Sequence, residues 1–150
     1  MKRMILSVCL GAALALAVNP AQAATTIQRD IPFDATIDGC GETVTLSGSL
    51  MAIFTEQRLG GGGFLITSHF QPQGVRGSSS SGATYHATGL TRTTEVYAPS
   101  GGSTYTYINR FHIVGTAGAP TYYVKETVHY TVAPTGKITA SVDNFSQECS

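Results

Sequence analysis

Between Tyr122 and Val132 the chain alternates apolar and polar residues, and Glu126 is the one charged side chain on the apolar side. Tyr122, Val124, Val128, Tyr130 and Val132 share its parity, while Tyr123, Lys125, Thr127, His129 and Thr131 take the other. Period two sends successive side chains to opposite faces of a β-strand, so Glu126 is expected to point inward and to be mostly buried. A carboxylate there has three possible uses. It can sit in a self-satisfied polar layer, because burying it is costly unless hydrogen bonds compensate. It can orient a bound ligand. It can act as a general acid or base, which makes Glu126 the single candidate catalytic residue.

What Glu126 can do depends on which residues the neighbouring strands place beside it. Ala98-Pro99-Ser100-Gly101 and Ala133-Pro134-Thr135-Gly136 carry the same hairpin signature. Proline presets φ at the first central position, and glycine accepts the left-handed residue that closes a three-residue loop. Counting back from the first turn puts Thr93 opposite Tyr107, Thr91 opposite Asn109 and Gly89 opposite Phe111. From the second, Val132 meets Ile138, Tyr130 meets Ala140, Val128 meets Val142 and Glu126 meets Asn144. Apolar matching sets the register between these hairpins, since a slip of one residue would turn every side chain over. It pairs Ile113 with Tyr122, Phe111 with Val124, Asn109 with Glu126, Tyr107 with Val128 and Tyr105 with Tyr130.

Four adjacent strands thereby place Thr91, Asn109, Glu126 and Asn144 at one level, with mostly apolar rungs on either side. The plainest reading is an interior layer in which the amides and hydroxyl satisfy the carboxylate. The sharper one is the floor of a cavity walled by Tyr85, Tyr105, Tyr107, Phe111 and Tyr130, as in small barrels that hold one ligand. The candidate ligand-binding set is Glu126, Asn109, Asn144, Thr91, Tyr107, Tyr130 and Phe111. His69, His86, His112 and His129 fall at the outward parity without ligand spacing, so neither a metal nor a cofactor is expected.

The rest of the chain reads as strands separated by turns, with no sustained helical period. Strands are expected at about 43–56, 63–71, 83–97, 104–115, 121–132 and 137–147, paired in sequence order. Ile27 to Ile37 forms a possible first strand that Pro32 would keep at an edge. Gly60 to Gly63 reads as a hairpin loop, and Gln71 to Gly82 as a long mobile loop.

Met1–Ala23 has the layout of a signal peptide: Lys2 and Arg3, then an apolar run, then Ala21-Gln22-Ala23. That leaves 24–150 as a single domain in a secreted or periplasmic product. Lys2 and Arg3 leave with the leader, so nine basic residues fall to seven against nine acidic. With no basic run, nucleic acid and, after cleavage, membrane are excluded as expected partners. Cys40 and Cys149 are then an even pair in an oxidising compartment and are expected to be bonded.

At Gly41–Gly48, Lys125–Val132 and Asp143–Cys149 the chain resembles a family of small, uncharacterised, secreted bacterial all-β proteins. The resemblance spans nearly all of 24–150 and implies an exported single domain. It supplies no catalytic or binding residue.

The sequence therefore predicts an all-β, antiparallel up-and-down meander of six or seven strands, closed or nearly closed into a small barrel. A two-sheet β-sandwich is the alternative. The leading function is a binding module for a small, partly apolar or aromatic molecule. A structural or surface-interaction protein with a filled core comes second, and a cofactor-free enzyme using Glu126 third. Oligomeric state is not legible in the sequence.

Overall fold

The computed structural model describes residues 24–150; the predicted signal peptide lies outside the described residues. Seven antiparallel strands form one sheet in sequence order. They are β1 (Thr25–Gly39), β2 (Glu42–Arg58), β3 (Phe64–Ser79), β4 (Thr84–Tyr97), β5 (Ser103–Gly115), β6 (Tyr122–Val132) and β7 (Ile138–Cys149). No helix among the described residues is long and apolar enough to cross a membrane.

Four hairpins close in the same way. Leu59, Ser79, Ala98 and Ala133 each donate a backbone N–H to the carbonyl four residues on, at 2.8–2.9 Å. Gly101 and Gly136 take the left-handed position there, with φ of 92° and 81°. The first hairpin is tighter: only Cys40 and Gly41 join β1 to β2, both with positive φ, as a two-residue primed turn requires.

The expected barrel is not formed. β1 and β7 are both edge strands, and the sheet order has no pairing between them. Pro32 thus sits on an edge, as expected. The inward positions along these two edges include Arg29 on β1 and Ser141 and Asp143 on β7. Closure would carry those polar groups into the interior, which is unfavourable without partners. The edges converge at one end only, where Cys40 and Cys149 are joined by a disulfide, as expected. Near it, a Cβ on Gly39 would overlap the Gln147 amide, so β1 and β7 approach closely there.

The core gathers at that end. Val44, Leu46, Val75, Tyr85, Ile113 and Tyr122 are buried together. Away from it the sheet curls without closing, and Phe33 on β1 reaches Phe111 on β5 with ring centroids 6.0 Å apart. The inward face is therefore concave.

The expected loop over Gln71–Gly82 is instead the second half of β3. Its register shifts against both neighbours around Gly74, which has φ of 62°. Phe70 faces inward before the shift and Val75 after it, so the inward parity changes from even to odd. A bulge of this kind inserts one residue and breaks the period-two pattern that marks a strand.

Candidate functional site

The β4–β5 and β5–β6 registers are those the turns and apolar matching predict. Thr91 lies opposite Asn109, Asn109 opposite Glu126, and Tyr105 opposite Tyr130. Glu126 shares the inward face with buried Tyr122, while Lys125 faces outward and pairs with Glu148 at 2.9 Å. Glu126 is half-buried rather than mostly buried. Among the described residues its carboxylate receives no hydrogen bond and forms no ion pair. The bonded pair in the rung is Thr91 with Asn109: the Thr91 hydroxyl donates to Asn109 Oδ1 at 2.9 Å.

Asn144 is not in the rung. Val132 still meets Ile138, but Thr131 meets Ala140, which leaves Thr139 as an extra residue. From there every pairing is displaced by one. Asn144 lies opposite Thr127 on the outward face, and Phe145 lies opposite Glu126. Being on an edge strand with no neighbour beyond it, Phe145 is 62 % exposed. The four-residue rung is thus three residues, and its carboxylate lacks the amide expected on that side.

Thr91, Tyr107, Asn109 and Phe111 all line one concave pocket of about 360 Å³. Its remaining walls are Phe33, Ile37, Leu50, Phe70 and Val124. The pocket is apolar apart from the Thr91–Asn109 pair and the Tyr107 phenol. Ile37, Leu50 and Phe70 show inward parity in the sequence, but only the curl of the sheet brings β1 and β2 against β5. Phe33 shares that parity. Glu126 is not one of the pocket's walls: it lies directly across the ladder from Asn109 and two residues along β6 from Val124, both of which are.

Tyr130 lies beyond the pocket, stacked on Tyr105 with centroids 4.9 Å apart and planes at 25°. Burial raises the Tyr107 phenol above its ordinary value, with the Glu126 charge adding to the effect. Tyr105 is raised too, by burial first and then by Tyr130, Glu95 and Glu126. Both phenols thus stay protonated well into the alkaline range and remain able to donate.

Tyr85, expected in the cavity wall, belongs to the disulfide end. Its hydroxyl donates to Glu42 Oε2 at 2.9 Å, and Ser81 donates to Oε1 at 2.9 Å. The Ser79, Tyr85 and Ser81 hydroxyls hold the Glu42 carboxyl below its ordinary value against the opposing effect of desolvation. No sequence signal connects Glu42 to Tyr85 before the fold does.

The histidines lie on the outward face. His112 packs edge-on against Tyr123, with centroids 4.8 Å apart, and His129 Nδ1 is hydrogen-bonded to Thr106. Among the described residues no group of three or more histidine, cysteine or acidic side chains could hold a metal ion.

Compared with family models, curated proteins and solved structures, the chain matches none.

Proposed function

We propose that this chain is an exported binding module whose curled sheet receives a small, partly apolar or aromatic molecule. The observation that carries the reading is the pocket of about 360 Å³ on the concave face. That volume falls within the range of roughly 300–1,000 Å³ usual for small-molecule sites. Apolar walls with a few convergent polar groups are the usual composition of such sites, and Thr91, Asn109 and Tyr107 supply the polar groups. The signal-like Met1–Ala23 and the Cys40–Cys149 bond support an oxidising, secreted or periplasmic destination.

Native mass spectrometry of protein purified from its own secretion medium tests the reading. A retained small molecule is expected, and Val124→Trp, which fills the pocket, should abolish retention while the protein stays folded. Retention unchanged by Val124→Trp would move the ligand elsewhere, and a wild-type protein that retains nothing and binds no apolar probe would overturn the proposal.

A second reading, a surface-interaction protein, draws on β7. This edge strand exposes Ile138, Val142 and Phe145 at 60 %, 46 % and 62 %. Unpaired strand edges with exposed apolar residues are templates for another chain. The third reading, acid–base catalysis by Glu126, has no proton-relay partner bonded to that carboxylate among the described residues.

A further inference from the structure

We infer that the molecule received by the concave pocket carries a cationic head, an organic ammonium, seated against Glu126 and the tyrosines beside it. The inference rests on the binding reading above and names the ligand's chemistry.

The basic residues of β3 to β6 are Arg76, Arg92, Arg110 and Lys125, and all four take the outward parity. Two have partners there: Lys125 pairs with Glu148, and Arg110 donates to the Asn109 carbonyl at 3.0 Å. The inward face of these strands therefore presents a half-buried carboxylate flanked by the pocket walls Asn109 and Val124, with no cation supplied by its own strands. Arg29 on β1 takes the inward parity but forms no ion pair with it among the described residues. A partly desolvated carboxylate is stabilised by a charged donor more than by a neutral one.

The rings beside Glu126 point the same way. Tyr107, a pocket wall, is its diagonal neighbour across the β5–β6 ladder, and the Tyr105–Tyr130 stack forms the inward rung beyond Tyr107 and Val128. Diagonal neighbours on one face lie within reach of aromatic and long side chains. An ammonium over a tyrosine face gains from the ring quadrupole, more so as the site is desolvated. An anionic head would meet repulsion from Glu126 and the negative ring faces. A neutral hydroxyl or amide head could donate to the carboxylate but would leave its charge uncompensated and gain little from the ring faces. Only a cation satisfies both features, with its apolar body lying between Phe70, Phe111 and Leu50.

Three probes that share one body isolate the head: 4-phenylbutylammonium, 4-phenylbutanol and 4-phenylbutyrate. Binding to the intact protein is followed by calorimetry. The ammonium should bind about tenfold more tightly than the alcohol, and the carboxylate most weakly. Glu126→Gln should bring the ammonium down to the affinity of the alcohol and leave the alcohol unchanged. Tyr130→Leu should weaken the ammonium more than the alcohol. Equal affinity for ammonium and alcohol in the wild type, or an ammonium preference that survives Glu126→Gln, would overturn the cationic head and leave the pocket reading standing. If none of the three binds, both readings fail together.

Discussion

Asn109 on β5 faces Glu126 on β6 directly across the ladder, yet its side chain bonds Thr91, whose hydroxyl donates to Asn109 Oδ1 at 2.9 Å. The rung is thus split into a satisfied pair and a carboxylate left for something else. Since Glu126 makes no internal bond among the described residues, the fold gains little from it.

Changing Glu126 to Gln or to Leu should shift stability by no more than about 0.5 kcal/mol, as for a substitution outside any network. Asn109→Leu removes the acceptor of the Thr91 hydroxyl and should cost about 1 kcal/mol. Denaturant unfolding midpoints check both. A loss on Glu126→Leu as large as that on Asn109→Leu would mean that the carboxylate has an internal partner.

How much of this site was legible in the sequence follows from two single residues. The Pro-Ser-Gly turn and the apolar matching of β5 with β6 fix the positions of Thr91, Asn109 and Glu126, because each hairpin closes without an insertion. Thr139 defeats the same count on β7. It is a β-branched residue in a strand of alternating pattern, and nothing in Ile138-Thr139-Ala140 marks a bulge. Gly74 does the same to β3, where one inserted residue turns a strand into an apparent Gly/Ser-rich loop. Its partner is Gly48, whose φ is 154° and where any Cβ would press on the Val75 backbone at 2.7 Å. Pairwise alternation also carries no information about curl, so the sequence alone did not indicate that Phe33 and Leu50 would face Phe111.

The covalent tie should matter for both stability and the pocket. Cys40 and Cys149 are separated by 109 positions, and no strand pairing joins their edges. In the chain-entropy model a closed loop of about 100 residues contributes roughly 4.7 kcal/mol. Replacing both cysteines with serine should lower stability by about 3–5 kcal/mol. It should also weaken binding of an apolar probe in the pocket, since β1 supplies two of its walls. A double variant with an unchanged unfolding midpoint would show that the converged edges hold without the bond.

Four of the seven tyrosines have raised phenols, which fixes the sign of the alkaline response. Burial leads at Tyr85, Tyr105 and Tyr107, whereas at Tyr97 the bond to Glu95 leads. A folded-state value above that of the unfolded chain leaves the contribution intact below the ordinary value of 10.0. It is lost as pH rises through the folded values, because the unfolded chain ionises first. The melting temperature should therefore not fall on account of these phenols until pH approaches 10 and should drop beyond it. The tyrosinate absorbance that Tyr85, Tyr97, Tyr105 and Tyr107 contribute in the native protein should develop above the ordinary value. Loss of the Tyr105 or Tyr107 proton at the ordinary value, read from Tyr→Phe difference titrations, would contradict the burial described for these rings.

Within one aromatic pair, the same substitution should have opposite effects. Tyr85 and Tyr122 meet edge to face at 5.7 Å in the core. The Tyr85 hydroxyl donates to Glu42, whereas the fully buried Tyr122 hydroxyl, near enough to help raise the Tyr85 phenol, has no partner within hydrogen-bond geometry among the described residues. A buried polar group without a partner costs about 1–3 kcal/mol, and the ring's packing does not depend on it. Tyr122→Phe should therefore raise stability, by about 1 kcal/mol after allowing for relaxation of the site. Tyr85→Phe should lower it and, by removing one of the bonds that depress the Glu42 carboxyl, should move acid unfolding to higher pH. Thermal and acid unfolding of the two variants, measured side by side, give the signs. If Tyr122→Phe is destabilising as well, its hydroxyl is bonded in solution, and the core at the disulfide end holds a polar contact among its apolar residues.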